Sequence, residues 1–195
     1  KPGLRERNEM APHGAMAPQW QLERATTTWV CSPRVGGDQG LVEWQLEQLL
    51  VEEEFTAAGV KKPDYGITGW VILTLIQHGT ADQIERFVEK ALRKDEIWCQ
   101  LFSEPSAGSD AAAVKTRATR VDGGWKVTGQ KVWTSGAHYC KRGLATVRTD
   151  FDGPKHAGIT MVILDMHAPG VEVRPLRQIT GGKEFNEVFF NDVFV

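Results

Sequence analysis

The sequence predicts an α+β protein in which a helical domain precedes an antiparallel β-barrel-like domain. Apolar residues recur at helical spacing between about residues 41 and 92. After about residue 95, short runs rich in Val, Thr, Trp and Phe alternate with turn residues, a pattern typical of an antiparallel barrel or sandwich. The chain has 195 residues and is 41% hydrophobic, which is enough to build such a core.

Three segments are expected along the chain. Residues 1–39 read as an irregular, partly helical N-terminal segment, because a small-residue stretch over 10–18 contains two prolines and residues 33–40 read as a loop. Residues 40–96 read as an N-terminal α-domain, and residues 97–195 as a β-domain.

Three helices are predicted in the α-domain. The first begins near residue 41 and stops near Gly59, with a broad apolar face made by Leu41, Trp44, Leu49 and Phe55. The second covers residues 67–78 and is apolar nearly all round, which indicates burial. The third follows a capping box formed by Thr80 and Gln83.

The β-domain is predicted from turn residues and short strands. Asp122-Gly123-Gly124 indicates a hairpin between strands at 113–121 and 125–127, and Gly129-Gln130 is expected to close a further turn. Later strands are expected over residues 144–149, 159–164, 171–174 and 187–195.

Composition excludes several classes of protein. The charges of the 23 basic and 25 acidic residues nearly cancel, so the net charge does not favour binding to nucleic acid. The longest apolar run, residues 70–76, is too short to span a membrane, and the first twenty residues show no secretory signal. Cys31, Cys99 and Cys140 are expected to be reduced thiols, and neither they nor the five histidines have the spacing of a metal site. The Rossmann fingerprint, the Walker loop and the Gly-x-Ser-x-Gly elbow are all absent.

Two segments could carry chemistry. In the first, Gln100 and Phe102 lead into a loop of small residues from Ser103 to Asp110, where Gly108 would let the backbone approach a ligand closely. A helix start capped by Ser109 or Asp110 is the alternative reading. In the second, residues 128–137, Trp133 stands beside Thr134 and Ser135 and could form one wall of a flat aromatic site. The alternative is a core tryptophan on a strand.

Together these segments resemble the acyl-CoA dehydrogenase family. Glu104-Pro105-x-x-Gly108-Ser109-Asp110 is similar to the family's first signature loop, and Gly129-Gln130-Lys131-Val132-Trp133-Thr134-Ser135 to its second flavin-contacting segment. Residues 169–190 resemble the end of its middle β-domain. The resemblance is dense over 96–195 and weaker over 41–92.

The resemblance implies FAD as the cofactor and an acyl-CoA thioester as the substrate, which is oxidised to the 2-enoyl-CoA. It implies that the backbone of Phe102 and Ser103, together with the Ser103 hydroxyl, faces the flavin. Ser109 would lie near both flavin and substrate. The cofactor-binding residues expected on this basis are Gln100, Phe102, Ser103, Gly108, Ser109, Trp133, Thr134 and Ser135.

The family's catalytic base is a Glu in a C-terminal helical bundle, which would follow Val195, so no catalytic residue is expected within this chain. A fragment of a flavin-dependent dehydrogenase is the first hypothesis. A non-catalytic partner subunit of a heteromer is the second, and an acyl-CoA oxidase or flavin monooxygenase of the same fold is a further alternative. The resemblance also implies a homo- or hetero-oligomer and a cytoplasmic or mitochondrial matrix location, and it leaves either an electron-transferring flavoprotein or oxygen as the electron acceptor.

Overall fold

A computed structural model describes residues 49–61 and 63–195 of the chain. The segment expected over residues 1–39, and the first apolar residues of the first predicted helix, lie outside the described residues. The chain divides into two compact units, and the division falls between Pro63 and Asp64.

In the first unit, helix α1 covers residues 49–57 and ends in a Schellman motif. Gly59 has a positive φ of 64°. Its N–H donates to the Thr56 carbonyl at 3.1 Å, and the Val60 N–H donates to the Phe55 carbonyl at 3.0 Å. A left-handed backbone conformation costs least free energy when the residue is glycine, which explains why the helix ends here. The predicted stop at Gly59 is therefore confirmed.

The second unit begins with two helices, α2 over Ile67–His78 and α3 over Ala81–Leu92. The bounds of α2 match the prediction. The capping box at the start of α3 is confirmed, because the Gln83 N–H donates to the Thr80 hydroxyl at 3.2 Å and the Gln83 side chain accepts the Thr80 N–H at 3.0 Å.

A seven-stranded sheet follows, and it confirms the α+β class. Its strands are β1 (Trp98–Leu101), β2 (Arg117–Val121), β3 (Gly124–Ser135), β4 (Arg142–Arg148), β5 (Ile159–Asp165), β6 (Val171–Pro175) and β7 (Phe185–Phe194). The order along the sheet is β1-β4-β2-β3-β7-β6, and β5, which is outside this path, pairs with β4 in antiparallel. Asp122 and Gly123 form the two-residue turn of the predicted β2–β3 hairpin.

The sheet is mixed rather than purely antiparallel. Strand β1 runs parallel to β4, from Trp98 opposite Arg142 to Leu101 opposite Ala145. Strand β2 touches β4 in parallel where Arg117 faces Arg148. Parallel neighbours need a long connection, and here the β2–β3 hairpin and its flanking loops supply it.

The turn predicted at Gly129-Gln130 is wrong. Strand β3 continues through both residues, and its register against β7 shifts between Val127 and Gly129. A Cβ atom at Gly129 would lie 2.7 Å from the Thr116 Cα, so this glycine marks a close approach of backbones within a bulged strand. Sequence alone does not distinguish this arrangement from a turn.

One hydrophobic cluster is built from the strands of the sheet and the loops beside them. Most of its members are small or branched apolar side chains from β1, β2, β3, β4, β5 and β7, among them Cys99, Leu101, Ala118, Val127, Val147, Leu164, Val188 and Val193. Cys99 and Cys140 are buried free thiols. Over residues 49–61 and 63–195, no helix has the length and apolar content that a membrane crossing needs.

Candidate functional site

The first candidate segment begins where β1 ends. Gln100 is half-buried between the core residues Cys99 and Leu101. The Phe102 ring packs edge-on against Trp70 of α2, with ring centroids 5.8 Å apart. The Phe102 side chain is therefore held by the protein itself, and the backbone is what this residue can offer a ligand.

A tight turn then shapes the loop. The Glu104 N–H donates to the Ala107 carbonyl at 2.7 Å, and the Ala107 N–H donates back to the Glu104 carbonyl at 3.0 Å. Pro105 stands at the second position of this four-residue turn, where its fixed φ is favourable. The turn leaves Gly108 and Ser109 exposed immediately after it.

A buried ion pair fixes this loop to the sheet. The Lys131 ammonium lies 2.8 Å from the Glu104 carboxylate, and the two side chains are 0% and 4% exposed. The other bonds of Glu104 come from the N–H groups of Lys115 at 2.7 Å and Thr116 at 3.0 Å. Lys131 also donates to the Phe102 and Thr146 carbonyls, at 3.1 and 2.6 Å.

These bonds keep Glu104 ionised. Burial alone would raise the pKa of this carboxyl, but the hydrogen bonds from Lys131, Thr116 and Lys115 outweigh it and hold the pKa below its usual range. A carboxylate with this many donors and almost no exposed surface is a poor general base. Glu104 therefore has a structural role.

The second candidate segment lies directly beside the loop. The Val132 N–H donates to the Ser103 carbonyl at 2.9 Å. The register between β3 and β7 shifts between Lys131 and Thr134, and Trp133 in this bulge has a φ of +59°. That conformation is strained for a bulky side chain, and such strain clusters at functional sites.

The bulge turns the Trp133 side chain outward. The indole is 62% exposed and touches the Phe185 ring edge-on, with centroids 6.1 Å apart. The alternative of a core tryptophan is therefore wrong. Alternation along a regular strand does not reveal this orientation, because the bulge resets which face each side chain occupies.

Thr134 and Ser135, which follow Trp133, differ in solvent exposure. Thr134 is buried, its carbonyl accepts the Asn186 side-chain N–H at 2.9 Å, and its hydroxyl has no hydrogen-bond partner in the described part of the chain. Ser135 is half-buried and lines an open cleft of about 540 Å³. The remaining residues around this cleft are Gly136, His138, Tyr139, Lys183, Glu184 and Phe185.

The helix-start reading of the loop has only weak support. Residues Ala111–Ala113 form a single 3₁₀ turn, and the preceding Asp110 makes no side-chain cap bond to it. Its carboxylate instead pairs with the Lys155 ammonium, and that bond lowers the pKa of Asp110. Both side chains are more than half exposed.

Sequence reasoning missed two structural residues. Lys131 lies four positions after the buried Val127, so alternation along β3 places it toward the core, and a buried lysine signals a partner carboxylate. No pattern in the sequence indicates a structural role for Arg148. Its guanidinium nevertheless donates to the carbonyls of Ala112, Val114, Lys155 and Ala157. These bonds connect the 3₁₀ turn to the β4–β5 loop.

The arrangement fits a planar cofactor that carries hydrogen-bonding edges. It offers the exposed face of Trp133 and the accessible hydroxyl of Ser135. The Ser103 hydroxyl and N–H make no hydrogen bond among the described residues. No cluster of three His, Cys, Asp or Glu side chains that could hold a metal ion occurs in residues 49–61 and 63–195.

Comparisons with known proteins agree with this arrangement. The family description "Acyl-CoA dehydrogenase, middle domain" matches residues 99–193. Acyl-CoA dehydrogenase FadE34 of Mycobacterium tuberculosis is 56% identical over 149 residues, which cover 76% of this chain and 21% of that protein. Acyl-CoA dehydrogenase IpdE1 of Mycolicibacterium smegmatis is 45% identical over 129 residues, which cover 61% of this chain and 33% of that protein.

The solved structures include the ChsE4-ChsE5 complex from Mycobacterium tuberculosis. It matches 91% of this chain and 45% of the other chain, with a TM-score of 0.67 and 29% identity. This chain thus spans about a fifth to a third of the two curated relatives, and just under half of the solved chain. The matching residues, their order and the fold lead to one conclusion: the chain belongs to the acyl-CoA dehydrogenase family.

Proposed function

We propose that this chain forms the flavin-facing wall of an enzyme that binds FAD and oxidises the Cα–Cβ bond of an acyl-CoA thioester. The observation that carries the proposal is the exposed Trp133, held at a φ of +59° in a bulge beside the 102–110 loop. An exposed aromatic face in a strained conformation is explained when a ligand covers it.

The proposal gives each residue of the site a task. Trp133 packs against the flavin ring system, and the Ser135 hydroxyl donates to its edge. Ser103 offers its N–H and hydroxyl to the ring. Gly108 leaves room for close approach, because a Cβ atom there would meet nothing within 4 Å. Ser109, exposed at the end of the loop, serves the substrate as well as the cofactor.

When bound, FAD supplies the acceptor for the hydride that leaves the substrate's β-carbon. The described residues hold the ring and exclude water from one of its faces. We place the base that takes the α-proton outside this chain. Glu104 is saturated by buried donors, and Asp110 is paired with Lys155 at the surface.

The proposal extends to organisation. We assign residues 97–195 to the flavin-facing β-domain and residues 40–96 to the α-domain. We also propose that the complete protein is an oligomer, because the solved structure similar to this chain is named as a complex of ChsE4 with ChsE5. A partner chain would then complete the substrate cavity.

The test uses the complete protein that carries this chain. The purified protein is reconstituted with FAD, and its flavin content and absorbance are measured. Acyl-CoA substrates are then added anaerobically. Retention of FAD and bleaching by an acyl-CoA are the expected results. Failure to retain FAD contradicts the proposal. Retention without bleaching by any acyl-CoA favours the non-catalytic subunit instead.

A further inference from the structure

The peptide that joins Phe102 to Ser103 is held from one side only. Its carbonyl accepts a hydrogen bond from the Lys131 ammonium at 3.1 Å. The C=O and N–H of a trans peptide point in opposite directions, and the described chain has no cis peptide bond. The Ser103 N–H therefore points away from the buried ammonium.

Lys131 has little freedom to move. Its side chain is fully buried, and its ammonium also donates to the Thr146 carbonyl at 2.6 Å and to Glu104 at 2.8 Å. The Thr146 hydroxyl at 3.4 Å is a fourth acceptor, so all three donors of the ammonium group are engaged. The position of the Phe102 carbonyl is consequently set by a group that β4 and Glu104 hold in place.

The loop is anchored beyond this peptide as well. The Ser103 carbonyl accepts the Val132 N–H at 2.9 Å. The Glu104 carboxylate accepts the N–H groups of Lys115 and Thr116, so it closes the loop at its far end. Both carbonyls at Phe102–Ser103 are thus taken by protein donors, whereas the Ser103 N–H has no hydrogen-bond partner among the described residues and is left for a ligand.

We propose that Lys131, paired with Glu104, is a positioning residue that sets the Phe102–Ser103 peptide so that the Ser103 N–H faces the flavin. This inference rests on the proposed function and deepens it. A pair that only stabilises the core would affect flavin binding in proportion to stability. A positioning pair affects flavin binding even where stability is restored.

The experiment separates these two roles with three variants of the complete protein. Lys131→Met removes the ammonium and leaves Glu104 as a buried unpaired charge. Lys131→Met/Glu104→Gln removes both charges. We expect its melting temperature to lie closer to that of wild type than to that of Lys131→Met. Glu96→Gln is the matched control, because Glu96 is equally buried and paired with Arg142 but makes no bond to the loop.

Two measurements are made on each variant. The first is the FAD dissociation constant. We expect it to rise at least tenfold in both Lys131 variants and to stay within twofold of wild type in Glu96→Gln. The second is hydrogen exchange in the flavin-free protein. We expect the Glu104 and Val132 amides to exchange at least tenfold faster in the double variant and to be unchanged in the control.

A double variant that binds FAD within twofold of wild type, with unchanged exchange at these two amides, overturns the inference. If wild type takes up no FAD, the proposed function fails by itself. Whether Lys131 positions the Phe102–Ser103 peptide is then decided by the hydrogen-exchange rates of the variants alone, since that measurement needs no cofactor.

Discussion

The carbonyl of Ser103 accepts the amide hydrogen of Val132 at 2.9 Å. This bond joins the loop after β1 to the bulge in β3, although the two residues lie far apart along the chain. Trp133 follows Val132 directly, so the exposed indole is placed next to the Ser103–Ser109 loop. Substitutions in either segment should therefore affect the same ligand.

Substitution of Trp133 separates strain from function. We expect Trp133→Ala and Trp133→Gly to lose FAD to the same extent, since both remove the aromatic face. The glycine variant should be the more stable of the two by about 1 kcal/mol, because glycine accepts a φ of +59° without a Cβ clash. Urea denaturation and flavin absorbance provide the two readouts. Phe194→Ala, which removes another exposed aromatic side chain, should keep FAD.

Gly108→Val should remove flavin while leaving the fold intact. A Cβ atom at Gly108 meets no protein atom within 4 Å, so the free energy of unfolding should change by less than about 0.5 kcal/mol. Gly129→Ala is the contrasting variant. Its Cβ would overlap Thr116, and we expect a loss of about 2 kcal/mol. Full FAD occupancy in Gly108→Val would contradict the assignment of this loop.

The two hydroxyls after Trp133 should behave differently. Ser135→Ala is expected to weaken FAD binding about tenfold, because an accessible hydrogen bond is lost. Thr134→Val keeps the side-chain shape and removes a buried hydroxyl that has no partner, so it should raise stability by about 1 kcal/mol with little change in FAD binding. The reverse ranking of the two dissociation constants would assign the flavin contact to Thr134.

Acid should destabilise the protein through two buried carboxylates. Burial alone would raise the pKa of Glu96 and Glu104, but bonds from Arg142 and Lys131 hold both pKa values below 4.5. The stabilisation is therefore complete above the unfolded carboxyl pKa near 4.5 and is lost as pH falls through the lower folded values. Urea midpoints between about pH 3 and 7 should rise with pH and then level off. In Glu104→Gln this rise should be smaller; an identical slope would contradict the role of Glu104.

Asp110 should be dispensable for turnover. Its carboxylate lies at the surface beside Lys155, and loss of an exposed pair has little effect on stability. We expect kcat of Asp110→Asn to stay within about threefold of wild type, whereas loss of a general base costs about 10² to 10⁴. Lys155→Met should give the same result. A hundredfold loss of kcat in Asp110→Asn alone would identify Asp110 as the missing base.

Local signals in the sequence predict much of the fold. The capping box of α3, the glycine stop after α1 and the Asp122-Gly123 turn are each formed by neighbouring residues, so short-range rules suffice. The parallel pairing of β1 with β4 and the continuation of β3 through Gly129 depend on residues far away in the chain. The close approach of Thr116 to Gly129 is visible only once the sheet is assembled.

For the candidate site, the sequence indicates which residues to examine but not how they are supported. The resemblance singles out Trp133 and the Ser103–Ser109 loop together. It does not show that Lys131 and Glu104 are buried partners 2.8 Å apart. It also leaves Thr134 and Ser135 equivalent, and only the bulge makes one hydroxyl buried and the other accessible.

The place of β7 in the sheet has a consequence for synthesis of the protein. Strand β7 lies between β3 and β6 and pairs with both, yet it is the last of these strands to be made. Until residues 185–194 leave the ribosome, one edge of the twelve-residue β3 has no neighbour. The nascent chain thus carries an open strand edge for more than fifty residues of translation, and chaperones that shield such edges would act in that interval.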